Sequence, residues 1–511
     1  MGAYLNRTKV GFSYLDLSPA APDRSLELKG LTLPAGSETI RPAWQLYSES
    51  EIEVMAYNRR KPLSWKMLAG LQPDFSLTTF RFEMKSDDSL IEMAGQVNGQ
   101  EVILTIHSSG DERIERIPFQ GNSVFLAEGL ASHYAWKWRH GQAIDGEYAV
   151  FEPQQIAATR WKTCMEDAEV LQLAGKSVET RRVRQDMGGL ATVTWMDKEG
   201  AVVKEWAPLG EKVGYLSFAE SEQQAKDRGY IHPSVLASPL PGEDASEPDL
   251  MYSTAVKSGR EIPQPSRVSR MVVDLWDFKL DRPVPSGGNQ RILSAPANGL
   301  YTADAPLRLE ITVSTPPLPE TSNPENSGQP VEKRYLEPEP FVQSDHPEIQ
   351  DLAKSMTQGM EGSWEKALAL HRWIGANIQV EFRITLPSAI EVLHTRKGDC
   401  NEQSALFAAL ARAAGVPVRI CTGLVHQRGA FYYHAWDEVL AGASPGQWIP
   451  IDPVLRQTLA DATHIKLGEG GLADQTYITG LIGKIRANIL EVETNDPDSR
   501  PDPPLRANSG G

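Results

Sequence analysis

The chain has three cysteines, Cys164, Cys400 and Cys421, and one of them stands where a thiol can react. A cysteine attacks as the thiolate, and a helix N-terminus favours that form through unpaired N–H groups and a partial positive charge. Cys400 follows the turn Arg396-Lys397-Gly398-Asp399 and precedes the apolar stripe Ala405, Leu406, Ala409, Leu410 and Ala413. That places it at a helix start and predicts a depressed pKa. Thiolate chemistry also needs a general base within hydrogen-bond reach and a third polar group to orient the imidazole. His434 and Asp452 are the candidates. His371, His394 and His426 compete for the base, and Asp452, standing before Pro453, is also suited to a plain strand-end turn. Cys164 and Cys421 read as small buried hydrophobes, and Glu402, Asp437 and Glu438 as solvated or structural carboxylates.

Three elements must bring these side chains together. The helix from Cys400 ends at Gly415 and Pro417, the usual stop signals. An apolar strand at 431–440 carries His434, and the next, at 448–451, ends on Asp452; adjacent antiparallel strands can set the two side by side. Before them the period is helical. Asp345-His346-Pro347-Glu348 has the form of a capping box with proline in the first turn, opening a helix to about Met360. A second helix follows, with Ala367, Leu370, Trp373, Ile374 and Ile378 on one face, and Ser388-Ala389-Ile390-Glu391 is a further capping box.

The blocks Arg396-Lys397-Gly398-Asp399-Cys400-Asn401-Glu402, Tyr433-His434-Ala435-Trp436-Asp437-Glu438-Val439 and Trp448-Ile449-Pro450-Ile451-Asp452-Pro453, with the helix through Arg412–Arg419 between the first two, resemble the signature blocks of the bacterial transglutaminase-like domain, over about 335–480. The resemblance implies a papain-like cysteine fold, with Cys400 as nucleophile, His434 as general base and then acid, and Asp452 as orienter. The Cys400 N–H would form part of an oxyanion hole. It implies acyl transfer on an amide, hydrolysis rather than crosslinking, with no metal or organic cofactor. The remainder resembles the β-rich extracytoplasmic portion that often precedes this domain in bacterial envelope proteins. The expected location is therefore periplasmic or extracytoplasmic, with a membrane anchor preceding the residues given, and the expected substrate a protein, a peptide or another envelope polymer. Two other readings stand beside this one: a non-enzymatic envelope scaffold, and the same fold reused on a glycan.

The full chain of 511 residues suggests several domains. From 1 to about 235 the hydrophobic period is two, as in Phe80, Phe82 and Met84 against Arg81, Glu83 and Lys85, which predicts antiparallel strands. Hairpins are expected around Asn98-Gly99 and at 197–200. The fold class is thus α+β and multidomain: an antiparallel β sandwich or open barrel over 1–235, a small β unit with a proline-rich linker over 250–330, the cysteine domain over 335–480, and a disordered tail over 494–511. Acidic residues outnumber basic ones by 67 to 51, for a net charge of −16, the wrong sign for following a phosphate backbone. Nucleic acid is excluded as a partner on that ground. No apolar run reaches the roughly 18 residues of a membrane-spanning helix.

Overall fold

A computed structural model describes the chain apart from residues 21–40, 88, 109–110, 174–175, 188–189, 210–212, 238–246, 281, 315–332, 384–386, 442–446, 471–479 and 496–511. The chain divides into two compact units. One comprises Met1–Thr254 with Phe382–Leu386 and Thr479–Gly483; the other comprises Ala255–Glu381, Pro387–Ile478 and Lys484–Gly511.

The first unit is built on one fifteen-stranded sheet. Period-two sequence makes each strand bury one face, and tight turns make sequence neighbours into sheet neighbours. Asn98 pairs with Glu101 across a turn with Gly99 at φ +59°, and Val193 pairs with Trp206 across the turn closed by Gly200, so both expected hairpins form. All pairings are antiparallel except that of Val124–Leu126 with Gly146–Glu152, which is parallel because the helix Ala127–Arg139 crosses between them. The strand Gly2–Leu5 lies in the middle, bonded on one side to Thr8–Pro19 and on the other to Gly214–Phe218. The reading of a sandwich or open barrel thus becomes a single sheet, since this strand stitches its two arms together. The arms meet face to face where Phe80 and Phe151 pack with ring centroids 5.1 Å apart.

Cys164 overturns its expectation here. It lies on the strand Ala157–Leu173, whose inward positions are Trp161 and Thr163, and alternation turns its thiol outward, where it is exposed.

In the second unit the helix Cys400–Ala413 is central, with every residue from Glu402 to Arg412 buried. The helices Pro347–Met356, Ser363–Asn377 and Ala389–Thr395 pack around it, and it lies against the strand Ala430–Leu440. That strand pairs along one edge with Val418–Gln427, which pairs in turn with Ile465–Gly470. Its other edge is shared: Val256–Lys257 covers residues 430–431 and Trp448–Ile451 covers 437–440. Among the described strands, none covers 432–436 on that edge.

Two caps differ from the sequence reading. His346, not Asp345, caps its helix, taking the Glu348 N–H on Nδ1, and the helix ends at Met356. Ser388 makes no side-chain cap bond and accepts instead from Gln343 Nε2, 2.9 Å away.

The strands expected between 265 and 315 do not stand alone. Val268–Trp276 pairs on one side with Leu307–Thr312 and on the other with Arg486–Thr494, so this small sheet takes its last strand from beyond the helical segment. Thr494, placed by the sequence reading in the tail, ends that strand opposite Val268, and the Asn495 N–H donates to the Arg267 carbonyl. The proline-rich linker at 315–330 and the tail beyond Asn495 lie outside the described residues.

Candidate active site

Cys400 is the first residue of its helix, and Asp399 is the N-cap. Asp399 Oδ1 accepts the Asn401 N–H, and Glu402 Oε2 accepts the Asp399 N–H, completing a capping box. The depressed pKa expected of Cys400 is not found. Burial pushes the thiol well above its ordinary value; the Asp399, Glu402 and Asp452 carboxylates add to that, and a bond from the Ala435 N–H opposes it. Burial is the first physical reason, and the cap adds to it. The same two carboxylates that start the helix sit beside the sulfur and outweigh its favourable end. Burial and these carboxylates thus oppose the thiolate that the helix end favours.

Ala435 places that sulfur. Its N–H comes from the uncovered edge at 432–436, so the helix start is tied to the residue next to His434. His434 in turn donates from Nε2–H to Asp452 Oδ2 over 2.7 Å, which leaves Nδ1 as the ring nitrogen able to take a proton from the thiol. Asp452 has no solvent exposure. Its Oδ1 accepts the Leu455 N–H at 2.8 Å, and its carbonyl accepts His371 Nε2–H at 2.9 Å. Burial works against its charge, but His434 and His464 outweigh burial and hold Asp452 well below the usual carboxylate range.

The structure thus brings His434 to Asp452 and sends the rival histidines elsewhere. His371 is buried beneath Asp452, and desolvation lowers its pKa and keeps it neutral. His394 pairs with Glu348 at the surface. His426 is fully buried, bonded to Ser258 Oγ at 3.3 Å and packed edge-on against Phe431. Cys421 is buried as expected.

One member was missed. His464 Nε2 reaches Asp452 Oδ2 at 3.0 Å, on the same oxygen that His434 holds. Its only signal in the sequence is a histidine and an aspartate, Asp461, set in the largely apolar run Leu459–Leu467. The approach depends on Gly423, which lies opposite His434 on the neighbouring strand. A Cβ there would fall 1.9 Å from the Ile465 carbonyl oxygen. Without one, the chain next to His464 closes onto the site.

The nitrogens of His434 and His464 with an Asp452 oxygen form a group that could hold a metal ion, with ligand atoms within 4.8 Å of one another. Those atoms are already joined by the two hydrogen bonds to Asp452, so a metal would have to displace both protons.

Asp437, Glu438 and Glu402 are buried rather than solvated. Glu438 is enclosed by cations: Lys466 Nζ at 2.8 Å and Arg419, whose Nε donates over 2.7 Å. Asp437 differs. Neither of its oxygens makes a hydrogen bond of ordinary geometry among the described residues; burial, with Asp452 nearby, pushes its pKa well up, and the Ser404 hydroxyl opposes that only in part. An acid whose pKa is raised on folding destabilises the fold once pH exceeds its unfolded value near 3.9. Asp437→Asn, which removes the ionisation, is therefore expected to stabilise the protein at pH 8, by about 1.4 kcal/mol for each pH unit by which folding raises the carboxyl. Thermal unfolding of the two forms at pH 8 measures it, and a lower midpoint for the variant would contradict this account of Asp437.

Residues 350–453 match the family described as the transglutaminase-like superfamily. No curated protein sequence matches the chain. Among solved structures, the chain is similar to a candidate cysteine protease from Cytophaga hutchinsonii at 18% identity, over 47% of this chain and 91% of that one, with a TM-score of 0.30. It is also similar to a β-barrel-like protein of a domain of unknown function from Brucella abortus, at 10% identity over 35% of this chain and 80% of that one, with a TM-score of 0.28. A third is a candidate protease from Parabacteroides distasonis, at 13% identity over 71% of this chain and 64% of that one, with a TM-score of 0.20. Cys400, His434 and Asp452 all fall inside the stretch of this β-rich chain, residues 350–453, that matches the transglutaminase-like superfamily.

Proposed function

We propose that the chain catalyses cysteine-dependent acyl transfer on an amide, and that hydrolysis is the reaction. The observation that carries the reading is the bond from His434 Nε2–H to the buried Asp452 carboxylate, made by the residue next to the one whose N–H holds the Cys400 sulfur. In the reaction the Cys400 proton passes to His434 Nδ1 as sulfur attacks the carbonyl carbon. The carbonyl oxygen takes the displaced electron pair, facing the N–H of Cys400 at the helix start. When the intermediate collapses, the C–N bond breaks and His434 returns its proton to the leaving amine. Water that His434 deprotonates then attacks the remaining thioester, the C–S bond breaks to release the acid, and His434 returns that proton to the Cys400 sulfur.

The substrate in this reading is a protein, a peptide or another polymer of the bacterial envelope, and the protein works in the periplasm or on its membrane. The β-rich first unit has the size to recruit such a polymer.

The test is alkylation by iodoacetamide, read peptide by peptide by mass spectrometry. Cys400 is expected to react at neutral pH and to slow by about 10²-fold or more in His434→Ala, within the range of a general base's contribution. Cys421 should not react. Cys164 should react at the ordinary rate of an exposed thiol in both forms. Equal labelling of Cys400 with and without His434 would support the non-enzymatic scaffold instead.

A further inference from the structure

His464 lies beyond the residues that match the family, and its surroundings fix its charge. Its Nε2 faces Asp452 Oδ2 at 3.0 Å. Its Nδ1 faces the Asp461 carbonyl at 3.0 Å and Asp461 Oδ1 at 3.4 Å. All of these are oxygen acceptors. Asp461 is itself surrounded by donors: Oδ1 accepts the N–H and hydroxyl of Thr463 at 2.8 and 2.6 Å, and Oδ2 accepts Gln457 Nε2–H at 2.7 Å. An imidazole whose two nitrogens both meet acceptors must carry hydrogen on both. Neither side chain, His464 or Asp461, has any exposure, so solvent does not take part.

We propose that His464 is a positioning residue for the reaction proposed above, an imidazolium that stays protonated, shares Asp452 with His434, and thereby sets how readily His434 gives its proton to the leaving amine. Asp452 alone would hold a protonated His434 tightly. Here its Oδ2 is divided between two imidazoles, and a fixed positive ring lies 5.9 Å from the ring of His434, so His434 shares its acceptor with a like charge. Burial alone would lower the pKa of His464, but Asp461 and Asp452 overcome it and push it up to about 10, which agrees with the hydrogen-bond argument.

The charged and titratable groups around the pair are few. His464 faces Asp461 on its own segment, Asp452 on the strand-end turn and His434 on the central strand. His434 meets Asp452, and the N–H of its neighbour Ala435 faces Cys400. Behind these stand Asp399 and Glu402 on the helix cap, Asp437 on the central strand and neutral His371 under Asp452.

This inference rests on the proposed roles of Cys400 and His434, and its test separates the two. Iodoacetate is an anion, so its attack by Cys400 is fastest beside a protonated His434. The full chain, His464→Gln, Asp461→Asn and His434→Ala are each alkylated between pH 5 and 10, with Cys400 read by mass spectrometry. The unaltered protein should show a rate that falls on the alkaline side, and His434→Ala should lack that fall. In His464→Gln the alkaline fall should move up by about one pH unit or more, as expected for removing a like charge at this range. In Asp461→Asn it should move the same way by less. A structural role alone would lower the rate at every pH without moving the fall, and that result in folded His464→Gln overturns the proposal. If His464→Gln does not fold, an unmoved fall in Asp461→Asn overturns it. If the alkaline fall persists in His434→Ala, the proposal is overturned together with the reading it rests on.

Discussion

Asp452→Ala is expected to destabilise the second unit by about 3–5 kcal/mol, the range for removing one partner of a buried charged cluster. The variant would leave His434 Nε2–H, His464 Nε2–H and the Leu455 N–H without their acceptor, and the His464 cation balanced only by Asp461. Asp452→Asn keeps the volume and one carbonyl oxygen, so its expected loss is smaller, about 1–3 kcal/mol. An asparagine whose carbonyl oxygen takes the place of Oδ2 can accept from both histidines but turns its NH2 toward the Leu455 N–H. Both variants should label Cys400 more slowly, since His434 loses the partner that orients it. Denaturant unfolding followed by tryptophan fluorescence gives the stabilities. If Asp452→Ala unfolds within about 0.5 kcal/mol of the unaltered protein, the ordinary scatter for surface substitutions, the cluster has no structural weight.

The second large effect is in alkali. The pKa of His464 is raised on folding to about 10, from an unfolded value near 6.5. A base with a raised pKa stabilises fully below its unfolded value and loses that contribution as pH climbs through the folded one. Stability from His464 should thus be intact at pH 6 and erode toward pH 10, by on the order of a few kcal/mol. Asp452 and Asp461 run the other way. Their pKa values are lowered on folding, so their contribution is present above about pH 4 and fades in acid. Since Cys400, Cys421 and the lysines also titrate in alkali, the quantity to measure is the difference between the unaltered protein and His464→Gln from pH 6 to 10. A difference that narrows with pH supports the assignment; a constant one would mean that His464 is neutral in the folded protein.

The placement of Cys400, His434 and Asp452 was legible because each carries a local signal: a helix start, a strand between turns and a strand end. The alternation of Phe80, Phe82 and Met84 made the β region legible for the same reason. The resting state of the thiol was not. Sequence displays both the helix end and the capping carboxylates Asp399 and Glu402, but only burial and distance decide which prevails at the sulfur. His464 was hidden because its position depends on Gly423 letting two backbones close, a property of pairing between strands and not of either strand. Cys164 went the other way from expectation by the phase of its strand, which turns on where Trp161 and Thr163 point. The long-range pairings of Gly2–Leu5 and Arg486–Thr494 were equally out of reach, since no local pattern names a partner more than 200 positions away.

Those two pairings also order events in time. Most of the large sheet consists of hairpins that can zip as soon as each is made, yet Gly2 meets Phe218 and Val268 meets Thr494. Each unit is thus fastened by a seam between the beginning and the end of its own stretch of chain. Bringing such distant segments together carries the loop-closure entropy that slows folding most, so both seams should close last during refolding. During synthesis on the ribosome, the first unit must wait with the Gly2–Leu5 strand paired on one side only until Phe218 has emerged, and the partly made sheet exposes its unpaired edge for that interval.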